Sequence, residues 1–102
     1  MARTQVVDNV ELSRWRALPS SVVLRELAEH AKQDVSYKPT GNQRTTRWHV
    51  SAGGTDFEIL CEANKFYDTR AAAGGGGAVD LAIHLFGLKF KAAVKVLREK
   101  KL

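Results

Sequence analysis

Between Arg47 and Cys61 the apolar residues fall on alternate positions. Trp48 and Val50 alternate with Arg47, His49 and Ser51, and Phe57, Ile59 and Cys61 alternate with Asp56, Glu58 and Leu60. A period of two belongs to a half-buried strand. Ala52-Gly53-Gly54-Thr55 separates the two runs, so the stretch reads as a hairpin turning on glycine. Lys65 to Asp68 predicts a third strand, reached through a tight Glu62-Ala63-Asn64 turn. On either side the period is helical. Upstream, Val23, Leu24, Leu27 and Ala31 keep helical spacing over Pro19 to Ala31, behind a proline and two serines suited to starting a helix. Leu12, Trp15 and Leu18 can form a short turn of helix packed on it. Downstream, Val79, Ala82, Ile83 and Phe86 line one helix, closed by Gly87. Phe90, Ala93, Val94 and Leu97 line another. The expected fold is α+β: a small three-stranded antiparallel sheet packed with an N-terminal helix and two C-terminal helices.

The 102 residues suffice for one domain with a single modest core. Residues 1–18 read as an arm with room for a short helix, its first ten residues loosely held, and residues 19–102 as the module proper. The last helix runs into Glu99-Lys100-Lys101-Leu102 without a cap, which suggests a segment of a longer protein. A hydrophobic share of 44% and a charged share of 26% are those of a folded globule, not a disordered tail. No apolar run approaches the ~20 residues that cross a bilayer, so no membrane partner is expected. Cys61, the single cysteine, excludes an internal disulfide and a multi-cysteine zinc site, and a reducing, cytoplasmic setting follows. Its alternation with Phe57 and Ile59 places it in the core.

Four consecutive glycines, Gly74, Gly75, Gly76 and Gly77, stand between the third strand and the next helix. A loop in that place can hold phosphate through free backbone N–H groups at a helix start. A P-loop would end in Gly-Lys-Ser/Thr, and here the glycines run into Ala78-Val79-Asp80. A dinucleotide fingerprint would need glycine at Val79. Asp80 in the first turn would repel a phosphate. The glycines are therefore expected to form a structural turn. Asp56, Glu58 and Asp68 read as solvent positions on strands, and His30 and His84 as solvent-facing or rim residues on helices. No nucleophile–base pair or carboxylate pair stands out, so no catalytic residue and no cofactor are expected.

The stretch from Gly74 to Leu97, GGGGAVDLAIHLFGLKFKAAVKVL, resembles the end of the zinc-binding N-terminal domain of bacterial and phage DNA primases. There Gly-Gly-Asp leads into a hydrophobic helix and then a Gly-x-x-Phe-x-x-Ala-Val helix. Here Asp80 follows the glycines, and Gly87, Phe90, Ala93 and Val94 fall where that pattern puts them. The family's first zinc ligands, Cys-Pro-x-His, align with Lys38-Pro39-Thr40-Gly41, and Thr45 stands where the family has threonine. The second pair, Cys-x-x-Cys, aligns with Thr69 and Ala72. All four ligand positions are occupied by non-ligands, so the resemblance implies a zinc-ribbon-like fold without metal. It covers roughly residues 20 to 98. Metal-free versions of this kind are implied to serve replication or conjugation of plasmids and other mobile elements.

The net charge of +5 is unevenly spread. Residues 1–36 carry five basic and five acidic side chains, residues 37–75 five and four, and residues 76–102 six and two. Basic groups beside an exposed aromatic suit single strands, whose bases stack on rings while phosphates meet cations. The expected contacts to nucleic acid are Lys38, Arg44, Arg47, His49, Lys65, Tyr67, Arg70, Lys89 and Lys91. If the outward sides of their strands coincide, Tyr67 is the stacking platform, while Trp48 and Phe66 belong to the core. Asp56 and Glu58 on that same side would weaken a cationic patch. Single-stranded DNA is the expected partner, and docking onto a replication or conjugation protein without DNA contact is the alternative.

Overall fold

Asp8 opens the first helix by accepting the Glu11 backbone N–H on its carboxylate at 2.8 Å, an ordinary N-cap. The computed structural model describes residues 7–102, and the order of elements is α1 (Asn9–Ala17), α2 (Ser20–Leu27), β1 (His30–Gln33), β2 (Thr46–Ala52), β3 (Thr55–Glu62), β4 (Lys65–Asp68), β5 (Ala73–Gly76), α3 (Ala78–Phe86) and α4 (Phe90–Glu99). The five strands form one antiparallel sheet in the order β1-β2-β3-β4-β5. The three-stranded sheet with three helices expected from the sequence is therefore corrected to five strands and four helices, within the same α+β class. Of the expected loose arm, residues 1–6 lie outside the described residues, and Asn9 and Val10 already belong to α1.

Both extra strands are edges that tertiary pairing creates. Helical spacing predicts one helix through Ala31, but α2 ends at Leu27 and Ala28 is extended. Glu29 then donates its N–H to Ser51 O, and Ala31 lands opposite Val50 in register. At the other edge Gly74 pairs with Tyr67 and Gly75 with Phe66. Glycine is a poor strand former, so close approach explains the choice. A Cβ on Gly74 would lie 2.5 Å from Phe66 O and 3.1 Å from the Tyr67 ring, and one on Gly75 would meet the Phe66 ring at 3.2 Å. The structural turn expected over all four glycines is thus a strand over three of them. Only Gly77, with φ +90, makes the bend into α3. Gly74→Ala is expected to cost about 1–3 kcal/mol, seen as a lower urea midpoint. Gly76→Ala, with nothing within 4 Å of its Cβ position, should change it little.

The hairpin turns on Gly53 and Gly54 with φ +57 and +79, as their Gly-Gly signature requires. The Ala63–Asn64 turn between β3 and β4 is a hub for three helices. Ser20 N donates to Ala63 O at 2.8 Å, and Ser20 Oγ donates to Lys65 O at 2.7 Å. Asn64 donates from its amide to Arg16 O, and Asn64 O accepts the Gly77 N–H. The helices gather on one side of the sheet, α2 and α3 against the strands and α1 and α4 packed on α3. Trp48, Val50, Ile59, Cys61 and Phe66 point to that side and meet Val23, Leu24, Leu27, Leu81 and Leu85. Trp15 from α1 and Ala93, Val94 and Leu97 from α4 complete the same core. Among the described residues no helix covers the other face.

Candidate nucleic-acid interface

Strand register sets out the open face row by row. Arg47, Leu60, Tyr67 and Gly74 stand in one row across β2 to β5, and Lys32, His49 and Glu58 in the next. Ser51 and Asp56 form a third row beside His30. The outward sides of the strands do coincide: Arg47, His49, Lys65 and Tyr67 share the open face, while Trp48 and Phe66 are buried. Tyr67 is 44% exposed and its ring lies over Gly74. A depression of about 410 Å³ surrounds it, lined by Thr45, Leu60, Glu62, Lys65 and Gly74.

The charges of this face are graded along the strands. At the Thr46 end, Lys38, Arg44 and Lys65 form no ion pair among the described residues. Arg47 belongs to the same end but is already engaged. Its Nε donates to Asp34 Oδ2 at 3.0 Å, and its guanidinium stacks on Tyr37 at 5.0 Å from the ring centre. Hydrogen bonds from Ser36, then from Arg47, hold the Asp34 carboxyl well below the ordinary carboxylate range. His49 Nε2 stands 3.5 Å from the same carboxylate. At the hairpin end the face is acidic, with Asp56 bound by Ser51 Oγ at 2.7 Å and Glu58 by Thr69 Oγ1 at 2.7 Å. Arg70 reaches Asp56 O at 3.4 Å, within this acidic end. Lys89 and Lys91 are on neither part. They stand at the start of α4, whose neighbour is α3, on the helical side of the domain.

Two features escape a reading of the sequence. Tyr37 is one, its role being set by a loop that folds back over β2. The other is Asp68. The expectation of a solvent-facing Asp68 is corrected, because Asp68 is 3% exposed, and His84, half-buried on α3, brings Nε2 to 2.6 Å from its Oδ2. Asp68 shares the core side with Phe66, two residues away, and the His84 ring lies 5.6 Å from the Phe66 ring and 5.9 Å from that of Phe57. Asp68 also accepts the N–H groups of Arg70 and Ala71, shaping the turn between β4 and β5. Among the described residues no side-chain hydroxyl or thiol is hydrogen-bonded to His84. The pair therefore braces the turn. Burial pushes the Cys61 thiol up, away from the reactive thiolate.

Lys38 to Gly41 and Thr69 to Ala72, the segments aligned with primase zinc ligands, leave the sheet at opposite ends. The first lies in the β1–β2 connection beyond Thr46, the second in the turn beyond Asp68. Among the described residues no group of three or more His, Cys, Asp or Glu is placed to hold a metal ion, and no helix is long and apolar enough to cross a membrane. No family model matches the chain, and no solved structure matches it. A 65 kDa protein of Zymomonas mobilis subsp. mobilis is 43% identical over 44 residues, a stretch equal to 43% of this chain and 8% of that protein.

Proposed function

We propose that the domain is a non-catalytic, primase-like module that binds single-stranded DNA on the open face of its sheet. Its setting is cytoplasmic replication or transfer of a plasmid or other mobile element. The observation that carries this reading is the row Arg47-Leu60-Tyr67-Gly74, with an exposed ring over a glycine strand and, at the same end, Lys65 and the Lys38 and Arg44 of the β1–β2 connection, none in an ion pair among the described residues. A base stacks on Tyr67 with its edge against Leu60, and the backbone follows the cations of the β1–β2 connection. The acidic hairpin end repels the strand and sets its direction across the sheet. The likeness of residues 74–97 to primase sequences supports the same role.

The test is fluorescence anisotropy with a labelled oligonucleotide of about 20 bases and its duplex, each at about 50 and 200 mM salt. Expected is a preference for the single strand, an affinity that falls steeply with salt, and a loss of about 1–3 kcal/mol in Tyr67→Ala. Lys65→Glu should weaken binding and flatten the salt dependence. Equal affinity for wild type and Tyr67→Ala, or no binding at low salt, would rule out the sheet face as the site.

A further inference from the structure

The basic excess of the chain sits away from the sheet face, on α4 and the residues after it. Between α4 and the start of α1 lies a cavity of about 500 Å³. Val7, Leu12, Phe90 and Val94 form its apolar walls, and Lys91 and Lys95 stand along it. Arg98, at one end, is held by Glu11 through two hydrogen bonds of 2.9 and 2.7 Å, which fix α1 against α4. Phe90 is 46% exposed even though it is the first residue of an otherwise well-buried helix stripe.

We propose that this groove docks an acidic amphipathic helix of a partner protein. Phe90, 46% exposed, stands beside the partly buried Leu12 and Val7, and together they offer an apolar seat for one side of a helix laid in the groove. Lys91 and Lys95, one turn apart, present a row of positive charge beside that seat. Neither lysine forms an ion pair among the described residues. A nucleic acid would meet those lysines with its phosphates but leave the apolar surface of Phe90, Val7 and Leu12 in water. An apolar stripe flanked by carboxylates satisfies both parts at once. With ten residues, α4 spans about 15 Å, enough to hold two to three turns of a partner helix. The sheet face and this groove lie on different sides, so both can be occupied together.

The probe is a synthetic peptide of about 18 residues with leucines at helical spacing and glutamates elsewhere, compared with a scrambled peptide of the same composition. Expected is binding of the ordered peptide alone, with amide NMR shifts in α1 and α4 and none in β4 or β5. Phe90→Asp should weaken it at least about tenfold, and Lys91→Glu with Lys95→Glu should do the same and remove its salt dependence. All three positions are exposed, and retained amide dispersion in each variant separates lost docking from lost fold. Equal binding of the scrambled peptide would overturn the proposal, as would shifts confined to the sheet. So would tighter binding to phosphatidylglycerol vesicles, dimerisation through the groove, or peptide binding that emerges only once residues 1–6 are removed.

Discussion

Trp15→Ala is expected to lower the unfolding free energy by about 3–5 kcal/mol, a large part of the roughly 5–15 kcal/mol available to a domain of this kind. Trp15 is 1% exposed and sits among the core residues, although it lies in a stretch that reads as an arm. Its burial also leaves a cost. The indole Nε1 is enclosed without a hydrogen-bond partner among the described residues, and such an orphaned donor costs about 1–3 kcal/mol. Trp15→Phe removes that donor while keeping most of the ring, so it should be far milder than Trp15→Ala. A chain beginning at Pro19 loses both this ring and the Glu11–Arg98 pair, and it should not unfold cooperatively. Urea titrations followed by far-UV circular dichroism check all three, since they do not depend on the tryptophan being removed. A loss below about 1 kcal/mol in Trp15→Ala would show that α1 is dispensable to the core.

What was legible followed from strong local signals. The β2–β3 hairpin has strict alternation and a Gly-Gly turn, and α3 has a helical stripe ending in Gly87 with φ +64. The inward and outward sides of β2 and β4 followed from the same alternation. The edge strands were not legible because neither has a pattern of its own. His30–Gln33 has one apolar residue, Ala31, and follows a helix whose spacing runs on into it. Ala73–Gly76 has almost no side chains, so its strand state depends entirely on what β4 presents to it. For the interface, residue type and face were readable, but pairing was not. Arg47 looks like a cation free for phosphate until the loop brings Asp34 and Tyr37 against it. Lys89 and Lys91 look continuous with the basic set in sequence, yet α4 places them behind the sheet.

Asp68→Ala is expected to cost about 1–3 kcal/mol at neutral pH, because it removes one buried acceptor shared by three partly buried hydrogen bonds. Its partners are the N–H groups of Arg70 and Ala71, at 3.0 and 3.1 Å, and His84 Nε2 at 2.6 Å. Burial by itself pushes the Asp68 carboxyl up, but those hydrogen bonds from His84, Ala71 and Arg70 outweigh it and leave the group below its ordinary value of 3.8. A carboxyl depressed by folding stabilises the native state above its unfolded value and loses that contribution as the pH falls through the folded one. Urea midpoints should therefore hold steady from neutral pH down to about 5 and then decline below about 4. Glu11, held low by the Arg98 hydrogen bond, and Asp34, held low by Ser36 and Arg47, act in the same direction. Asp68→Asn separates shape from charge. Its amide oxygen can still accept from Arg70 and Ala71, so it should lose less than Asp68→Ala at pH 7, and its decline in acid should be shallower than that of the wild type. Equal midpoints for wild type and Asp68→Ala at pH 7 would mean that the turn holds without the carboxylate. The same turn carries β5 back against β4, and Gly74 lies under Tyr67 only while that pairing lasts. If the sheet face binds oligonucleotides as proposed, a loosened turn should weaken that binding in Asp68→Ala, although Asp68 lies on the opposite side of the sheet from Tyr67.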